Sequence, residues 1–297
     1  MGIIFLADAK ERDEIMQRSR FNSMFFLLLR RLLGGDLNEG FTWFLFLLRH
    51  FVCTSFAKLM ESVAAWNYLK PAQWETICDL GCGGGANDVL LSLARAKVFG
   101  VDIDRGSLVQ AKRQASSLGV CVKYAVADLG QSQFLCFKSG SFDKAVSYCV
   151  LEHLGRPEEL LKEVHRILRP EGAFILSVDS FSYRGLPRRF VELHRRVCSV
   201  KKYYTLREAE ALLGEANFHV QDSTFLIKSP LAGYLFRILL SHYFDSVTAG
   251  KSFRLGCFKL FTPVWVAVTA VSDLFRGDEQ GGCFLVLHAT KKAPPRG

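Results

Sequence analysis

The chain has 297 residues, 49% hydrophobic and 23% charged, enough apolar material for one large α/β domain with additions, and this composition excludes disorder for most of its length. Its 38 Lys and Arg against 29 Asp and Glu give a net charge of +9, so an anionic partner is expected, and the placement of the charge must choose between nucleic acid and lipid. No run reaches the roughly 18 uninterrupted apolar residues of a spanning helix. The greasiest stretch, Leu260 to Ser272, lies between Lys259 and Asp273 and carries Pro263. A membrane surface fits this chain, and a crossing does not.

The first 70 residues read as a helical arm: a charged start, a run from Phe21 to Leu33, a break at Gly34-Gly35-Asp36, and a second run from Phe41 to Met60. In the second run His50, Thr54, Lys58 and Glu61 form a polar stripe opposite Phe44, Leu47, Leu48 and Phe51, the spacing of an amphipathic helix. The opening turns to charge too soon for a secretory segment, and residue 6 is Leu where N-myristoylation wants Ser or Thr. Nine cysteines without a CxxC pair, several of them inside apolar runs (Cys78, Cys149, Cys283), argue against structural zinc. The expected location is cytoplasmic, with a peripheral contact to membrane.

From about Trp74 short apolar runs alternate with helical segments, the pattern of βαβ units around a parallel sheet. Strands are predicted at Thr76–Leu80, Lys97–Asp102, Val122–Asp128, Phe142–Tyr148 and Ala173–Asp179. Helices are predicted at 86–96, 106–118, 157–169 and 205–217, followed by strands at His219–Ile227 and Gly282–Thr290. The segment between the last two strands is too long and too apolar for a plain loop and reads as a helical insert. The expected division is an arm at 1–70, a core at 71–227, an insert at 228–280, and the last strand and tail of the core at 281–297.

Three acids sit at strand ends. Asp79 precedes Leu80-Gly81-Cys82-Gly83-Gly84-Gly85, a loop where the backbone must turn sharply and admit a ligand without interference from Cβ atoms. Asp102 ends the second strand, where a carboxylate can accept from both hydroxyls of a ribose, and Asp128 ends the third. A strand-to-helix turn that binds nothing is the alternative for the glycine loop alone.

With these motifs the chain resembles the class I S-adenosylmethionine-dependent methyltransferases, in the branch of the ubiquinone and menaquinone biosynthesis enzymes. The resemblance covers residues 70–180 well and 205–227 loosely. It is carried by Asp79 to Gly85, Gly100-Val101-Asp102-Ile103-Asp104, Ala127-Asp128-Leu129, and the stretch from Ser147 through Glu152-His153-Leu154, followed by Arg169-Pro170-Glu171-Gly172. It implies a Rossmann-like, seven-stranded, mostly parallel sheet of order 3-2-1-4-5-7-6 with helices on both faces, to which the arm and insert are added. It further implies S-adenosylmethionine as cofactor. Gly81, Gly83 and Gly85, with Cys82 between them, become the loop beneath the methionine and ribose, and Asp79 a neighbour of the ammonium. Asp102 becomes the ribose acceptor, Ile103 an apolar face for the adenine, Asp128 and Leu129 the adenine-edge contacts, and Ser147 a residue bordering the methyl donor.

Two departures matter. Relatives with Glu-x-x-Glu-His after strand four hold a divalent metal there, whereas this chain has Cys149 at the first position, so no metal is expected. Glu171 replaces the commoner glycine before strand five. His153 is the candidate base, able to take a proton from a phenol or enol as its oxygen is methylated. The bland reading is a histidine that opens a helix, and alignment alone carries much of a methyl displacement. His165, His219 and His288 are expected to do nothing chemical.

Between Arg184 and Lys202 seven Lys and Arg face a single acid, Glu192, with Phe190, Val191, Leu193 and Val197 interleaved, as on a helix lying against an anionic bilayer. A nucleic-acid partner is not expected, because no recognition module accompanies the charge and the sequence after strand four lacks a Pro-Pro-Tyr type motif. The expected function is methyl transfer to a lipophilic small molecule, a quinone precursor, phenol or isoprenoid-like compound, at an anionic membrane surface. Its rivals are a soluble methyltransferase of a polar metabolite and a non-catalytic scaffold of the same fold.

Overall fold

A computed structural model describes residues 56–131, 135–183, 185–249, 252–276 and 281–292. The run at 21–33, most of the run at 41–60, Arg184 and the tail lie outside the described residues. The first element is helix α1 (Phe56–Leu69). The alternating pattern then gives β1 (Thr76–Leu80), α2 (Ala86–Leu93), β2 (Lys97–Asp102), α3 (Arg105–Ser117) and β3 (Val122–Val126). There follow β4 (Phe142–Tyr148), α4 (Pro157–Ile167), β5 (Leu168–Asp179), α5 (Arg188–Val197), α6 (Leu206–Glu215) and β6 (Phe218–Leu226). Three helices, α7 (Pro230–Ala249), α8 (Ser252–Leu260) and α9 (Thr262–Leu274), make up the insert before β7 (Phe284–Lys291).

The sheet runs β3-β2-β1-β4-β5-β7-β6, with β7 antiparallel to both neighbours, as expected. Local chemistry sets the ends. Asp104 caps α3 by accepting from the amides of Gly106 and Ser107, and Thr205 with Glu208 forms a capping box at α6. β5 starts five residues before its predicted start because α4 passes directly into it: Leu168 pairs with Phe142, and the ladder then shifts register before Ala173 pairs with Lys144. Glu171 takes up this turn at φ 63°, the left-handed conformation that glycine adopts without strain.

Core side chains lie on both faces of the sheet. Leu80, Leu161, Phe174, Phe218 and Leu287 pack beneath α4 and α6. On the other face Phe56, Leu69, Ile77, Ile175, Phe236 and Val286 bring α1, the sheet and the insert into one cluster. Burying each such side chain contributes roughly 1.5–3 kcal/mol, which holds α1 and α7 to the sheet. Two polar ties fix their ends. The Lys144 ammonium donates to the carbonyls of Leu69 (2.9 Å) and Lys70 (3.1 Å) and to Glu75 (2.8 Å) at the end of α1. The Asp273 carboxylate of α9 accepts from the amides of Lys228 (3.0 Å) and Ser229 (2.9 Å) at the entrance to α7. Among the described residues no helix is long and apolar enough to cross a membrane.

Candidate active site

The C-terminal ends of β1 and β2 carry the glycine loop, and its three outer glycines all have positive φ (82°, 51° and 73°). Their surroundings differ. A Cβ on Gly81 would run into Val150, and one on Gly85 into Tyr124 Oη and Ala111, whereas nothing lies within 4 Å of that position on Gly83. Gly81 and Gly85 therefore let the protein close on itself, and Gly83 faces the open cradle in which a ligand meets the backbone. The amide of Gly83 donates to Asp102 Oδ2 (2.8 Å), and the amide of Asp104 donates to Oδ1 (2.9 Å), so the carboxylate is held by the chain with lone pairs left for two hydroxyls. Ile103 beside it is 60% exposed, an apolar face with no protein partner to account for it. Asp128 closes a turn onto the amide of Gly130 (2.9 Å), and Leu129 is half-buried against the core. Ser147 is fully buried and donates to the carbonyl of Leu80 (3.1 Å), where it fixes β4 to the end of β1.

Asp79 is buried, and its Oδ1 has no hydrogen-bond partner among the described residues. Burial, reinforced by the neighbouring Asp88, pushes its carboxyl well above the ordinary range. Burial likewise raises Asp88 to about 7, against the nearby Asp79, Cys82 and Tyr124, which work the other way. These two carboxyls thus keep a proton between them, and an incoming ammonium would release it. Cys82 packs over Gly100 beside Asp88 and Tyr124, with its thiol pushed far up by burial. The loop fits S-adenosylmethionine on these observations: an orphaned acceptor for a cation, a positioned carboxylate for the ribose, and a cradle that a side chain at Gly83 would fill.

A cavity of about 530 Å³ lies at the ends of β4 and β5. Phe236, Leu239 and Leu240 of α7, Leu255 of α8 and Phe284 of β7 line one side. Lys58 of α1, Cys149, His153, Asp179 and His194 line the other. Of the predicted polar stripe, Lys58 thus lines the cavity and Glu61 is buried, while His50 and Thr54 lie outside the described residues. Glu61 accepts from Lys58 Nζ (2.9 Å), from Cys149 Sγ (2.9 Å) and from the Ser177 hydroxyl. Cys149 sits at φ 52°, a left-handed backbone uncommon outside glycine, at the point where β4 ends in the cavity.

His194 and Asp179 lie 3.8 Å apart, but burial drives both toward neutrality: the imidazole falls to about 4, and the carboxyl, next to the charge of Glu152, rises to about 8. They meet as a neutral imidazole and a carboxylic acid. Tyr203 donates its hydroxyl proton to the carbonyl of Val191 (3.1 Å), which leaves its oxygen to accept from His194 Nδ1 at 3.0 Å. That assignment turns the Nε2 lone pair of His194 toward Asp179 and the cavity. His153 also lines the cavity, with Nδ1 3.4 Å from the carbonyl of Ser199. Cys149, Glu152 and Asp179 bring one ligand atom each within 4.8 Å of one another, the one such group among the described residues, and Lys58 and Glu61 adjoin it. Sequence reasoning missed Glu61, Asp179 and His194. For Asp179 the signal existed, since it ends a strand as Asp79, Asp102 and Asp128 nearly do.

A profile described as a methyltransferase domain matches residues 78–176. The ubiquinone biosynthesis O-methyltransferase of Azorhizobium caulinodans is 30% identical over 172 residues, 56% of this chain and 67% of that enzyme. Among solved structures, the [4+2]-cyclase SpnF has a TM-score of 0.57 at 14% identity over 94% of this chain and 96% of its own. An S-adenosylmethionine-dependent methyltransferase from Mesorhizobium loti has a TM-score of 0.52 at 19% identity over 77% and 96%. At those identities the likeness to the two structures is one of fold. The curated relative adds chemistry to the fold and sets the scaffold alternative aside: this chain is an enzyme that uses S-adenosylmethionine, and it belongs to the class I S-adenosylmethionine-dependent methyltransferase family.

Proposed function

We propose that the enzyme methylates an ionisable hydroxyl of a lipophilic small molecule, a quinone-precursor phenol or an isoprenoid-like compound, at a membrane surface. The observation that carries this reading is the division of the cavity, apolar where the insert covers it and polar where the strands end. A molecule that extends a greasy body along Phe236, Leu240 and Leu255 would present its polar end to Lys58, Cys149 and His194. The name of the Azorhizobium relative, an O-methyltransferase of ubiquinone biosynthesis, supports oxygen as the atom methylated.

When bound, S-adenosylmethionine supplies an electrophilic methyl group on a sulfonium. The chain's part is to align the acceptor oxygen with that methyl group, exclude water and take the hydroxyl proton. His194 Nε2 offers its lone pair to the hydroxyl, with the imidazole orientation fixed by Tyr203, and the Lys58 ammonium favours the ionised form of a hydroxyl beside it, which offsets the weak basicity that burial leaves the imidazole. His153 stands at the same cavity as the second basic group. The test is incubation with labelled S-adenosylmethionine and a whole-cell lipid extract in vesicles, followed by mass analysis of the labelled product. Label in a hydrophobic hydroxy compound is expected. Label confined to water-soluble metabolites would overturn the reading in favour of a soluble methyltransferase whose insert is only a lid.

A further inference from the structure

A second cavity, of about 600 Å³, opens between α5 and α7. α7 divides the two cavities: Phe236, Leu240 and Tyr243 face the first, and Tyr234, Arg237 and Ser241 the second, as helical spacing requires. Three guanidiniums converge on this groove, Arg189 and Arg196 from α5 and Arg237 from α7. The Arg237 guanidinium lies 5.9 Å from the centre of the Tyr234 ring, and none of the three forms an ion pair with a carboxylate among the described residues. The nearest acids along the two helices, Glu192 and Asp245, do not line the groove. His242 lines its end with a buried Nδ1 that lacks a hydrogen-bond partner among the described residues. Three like charges around one hollow repel one another, and no carboxylate among the described residues lines it as a counter-charge. A phosphoryl group would supply it, since guanidiniums bind phosphate in forked pairs.

The apolar surroundings choose the source of that phosphate. Phe190, Leu193 and Ile238 also line the groove. At its Tyr234 end the Asp273 carboxylate ties the end of α9, which carries Leu274 and is followed by Phe275, to the start of α7, which carries Leu231. Leu274 and Phe275 are 82% and 83% exposed, and Leu231 and Tyr234 about half exposed. Cations on phosphates beside apolar side chains at acyl depth is the arrangement of a protein seated on a bilayer.

We propose that the α5–α7 groove is a docking site for the phosphoryl headgroup of an anionic phospholipid, with Leu231, Leu274 and Phe275 entering the bilayer beside it. The proposal rests on the membrane half of the functional reading and gives that contact a location. The test is sedimentation of the full chain with vesicles of phosphatidylcholine, with and without phosphatidylglycerol. The variants are Arg189→Gln/Arg196→Gln/Arg237→Gln and a charge-matched control, Lys112→Gln/Lys138→Gln/Lys162→Gln, at exposed lysines elsewhere.

The wild-type chain should bind the anionic vesicles in a salt-sensitive way. The groove variant should lose about tenfold or more of that partition while binding S-adenosylmethionine as before, and the control should stay near wild type. Leu274→Asp/Phe275→Asp should remove the part of the binding that salt leaves intact. Equal losses in the two charge variants, or a groove variant that binds like wild type, would overturn the groove and leave the functional reading standing. A wild-type chain that binds neither vesicle would remove both. Calorimetry with glycerol phosphate, and competition by a single-stranded RNA, complete the test: tight uptake of the soluble phosphate, or displacement of vesicles by RNA at the groove, would reassign the site away from a bilayer.

Discussion

The two halves of the candidate site, one for the cofactor and one proposed for the acceptor, are built in different ways. The cofactor half comes from short strand-to-loop segments in which neighbouring residues do related jobs: Asp79 and Gly83 lie four residues apart, and Asp102 reaches back to the Gly83 amide across one strand pair. The acceptor half is assembled from afar. Glu61 meets Cys149 across 88 residues and Ser177 across 116, and the covering wall comes from an insert later still in the chain. The first half can be rewritten little without losing the fold family, and the second is where members of one fold can differ in what they methylate.

The comparison can be broken most severely at Gly83. Gly83→Val should abolish S-adenosylmethionine binding in a folded protein, because the side chain fills the open cradle and forces a β-branched residue to φ 51°. Calorimetry beside a circular dichroism spectrum checks it, and retained affinity would remove the loop from the site.

In the acceptor half, His194→Ala should lower kcat by about a hundredfold or more while leaving cofactor affinity alone, the usual scale of a lost general base. His153→Ala should cost less. A reversal of that order in steady-state kinetics would move the proton acceptor to His153. Back in the cofactor half, Asp102→Ala should weaken binding by about 2 kcal/mol, roughly thirtyfold, the scale of hydrogen bonds to a charged group. Calorimetry reads this directly, and unchanged affinity would remove Asp102 from the ribose site.

The smallest effect is also the one that sharpens the electrostatics. Asp88 carries a folded-state value of about 7, far above the roughly 3.9 of an unfolded aspartate, so the native state holds the extra proton. Stability contributed by that proton is present in acid and fades as pH rises through about 7. Asp88→Asn should therefore raise Tm by a few degrees above that pH and give no gain in acid. For the same reason S-adenosylmethionine affinity should rise with pH up to about 7 in the wild type, as the pair surrenders its proton, and flatten in the variant. Thermal melts and titrations across pH check both.

The sheet was legible because its strands are short runs with an apolar centre between helical segments, closed by a glycine after β1 and by an acid in β2: β1, β2 and β4 fall on their predicted bounds. The start of β5 was missed because Leu168 belongs to the apolar pattern of α4 as well as to the ladder, and only pairing with Phe142 decides between them. The glycine loop and the acids at the strand ends could be read because sequence-local geometry makes them. Glu61 and His194 could not, since a buried carboxylate on a helix and a histidine in a basic helix look solvent-facing until tertiary packing turns them inward.

The lysine at position 144 has a bearing on how this chain could be cut. Its ammonium pins the end of α1 to the base of the sheet, so the helix is held away from the chemistry at one end and delivers Lys58 and Glu61 to it at the other. A boundary drawn at residue 70 is thus convenient on paper but severs a wall of the reaction chamber. A fragment beginning at residue 71 would lose the carboxylate that holds Cys149 and Ser177 together with the buried Phe56, Leu59 and Leu69, so one cut removes a side of the cavity and a layer of the core at once.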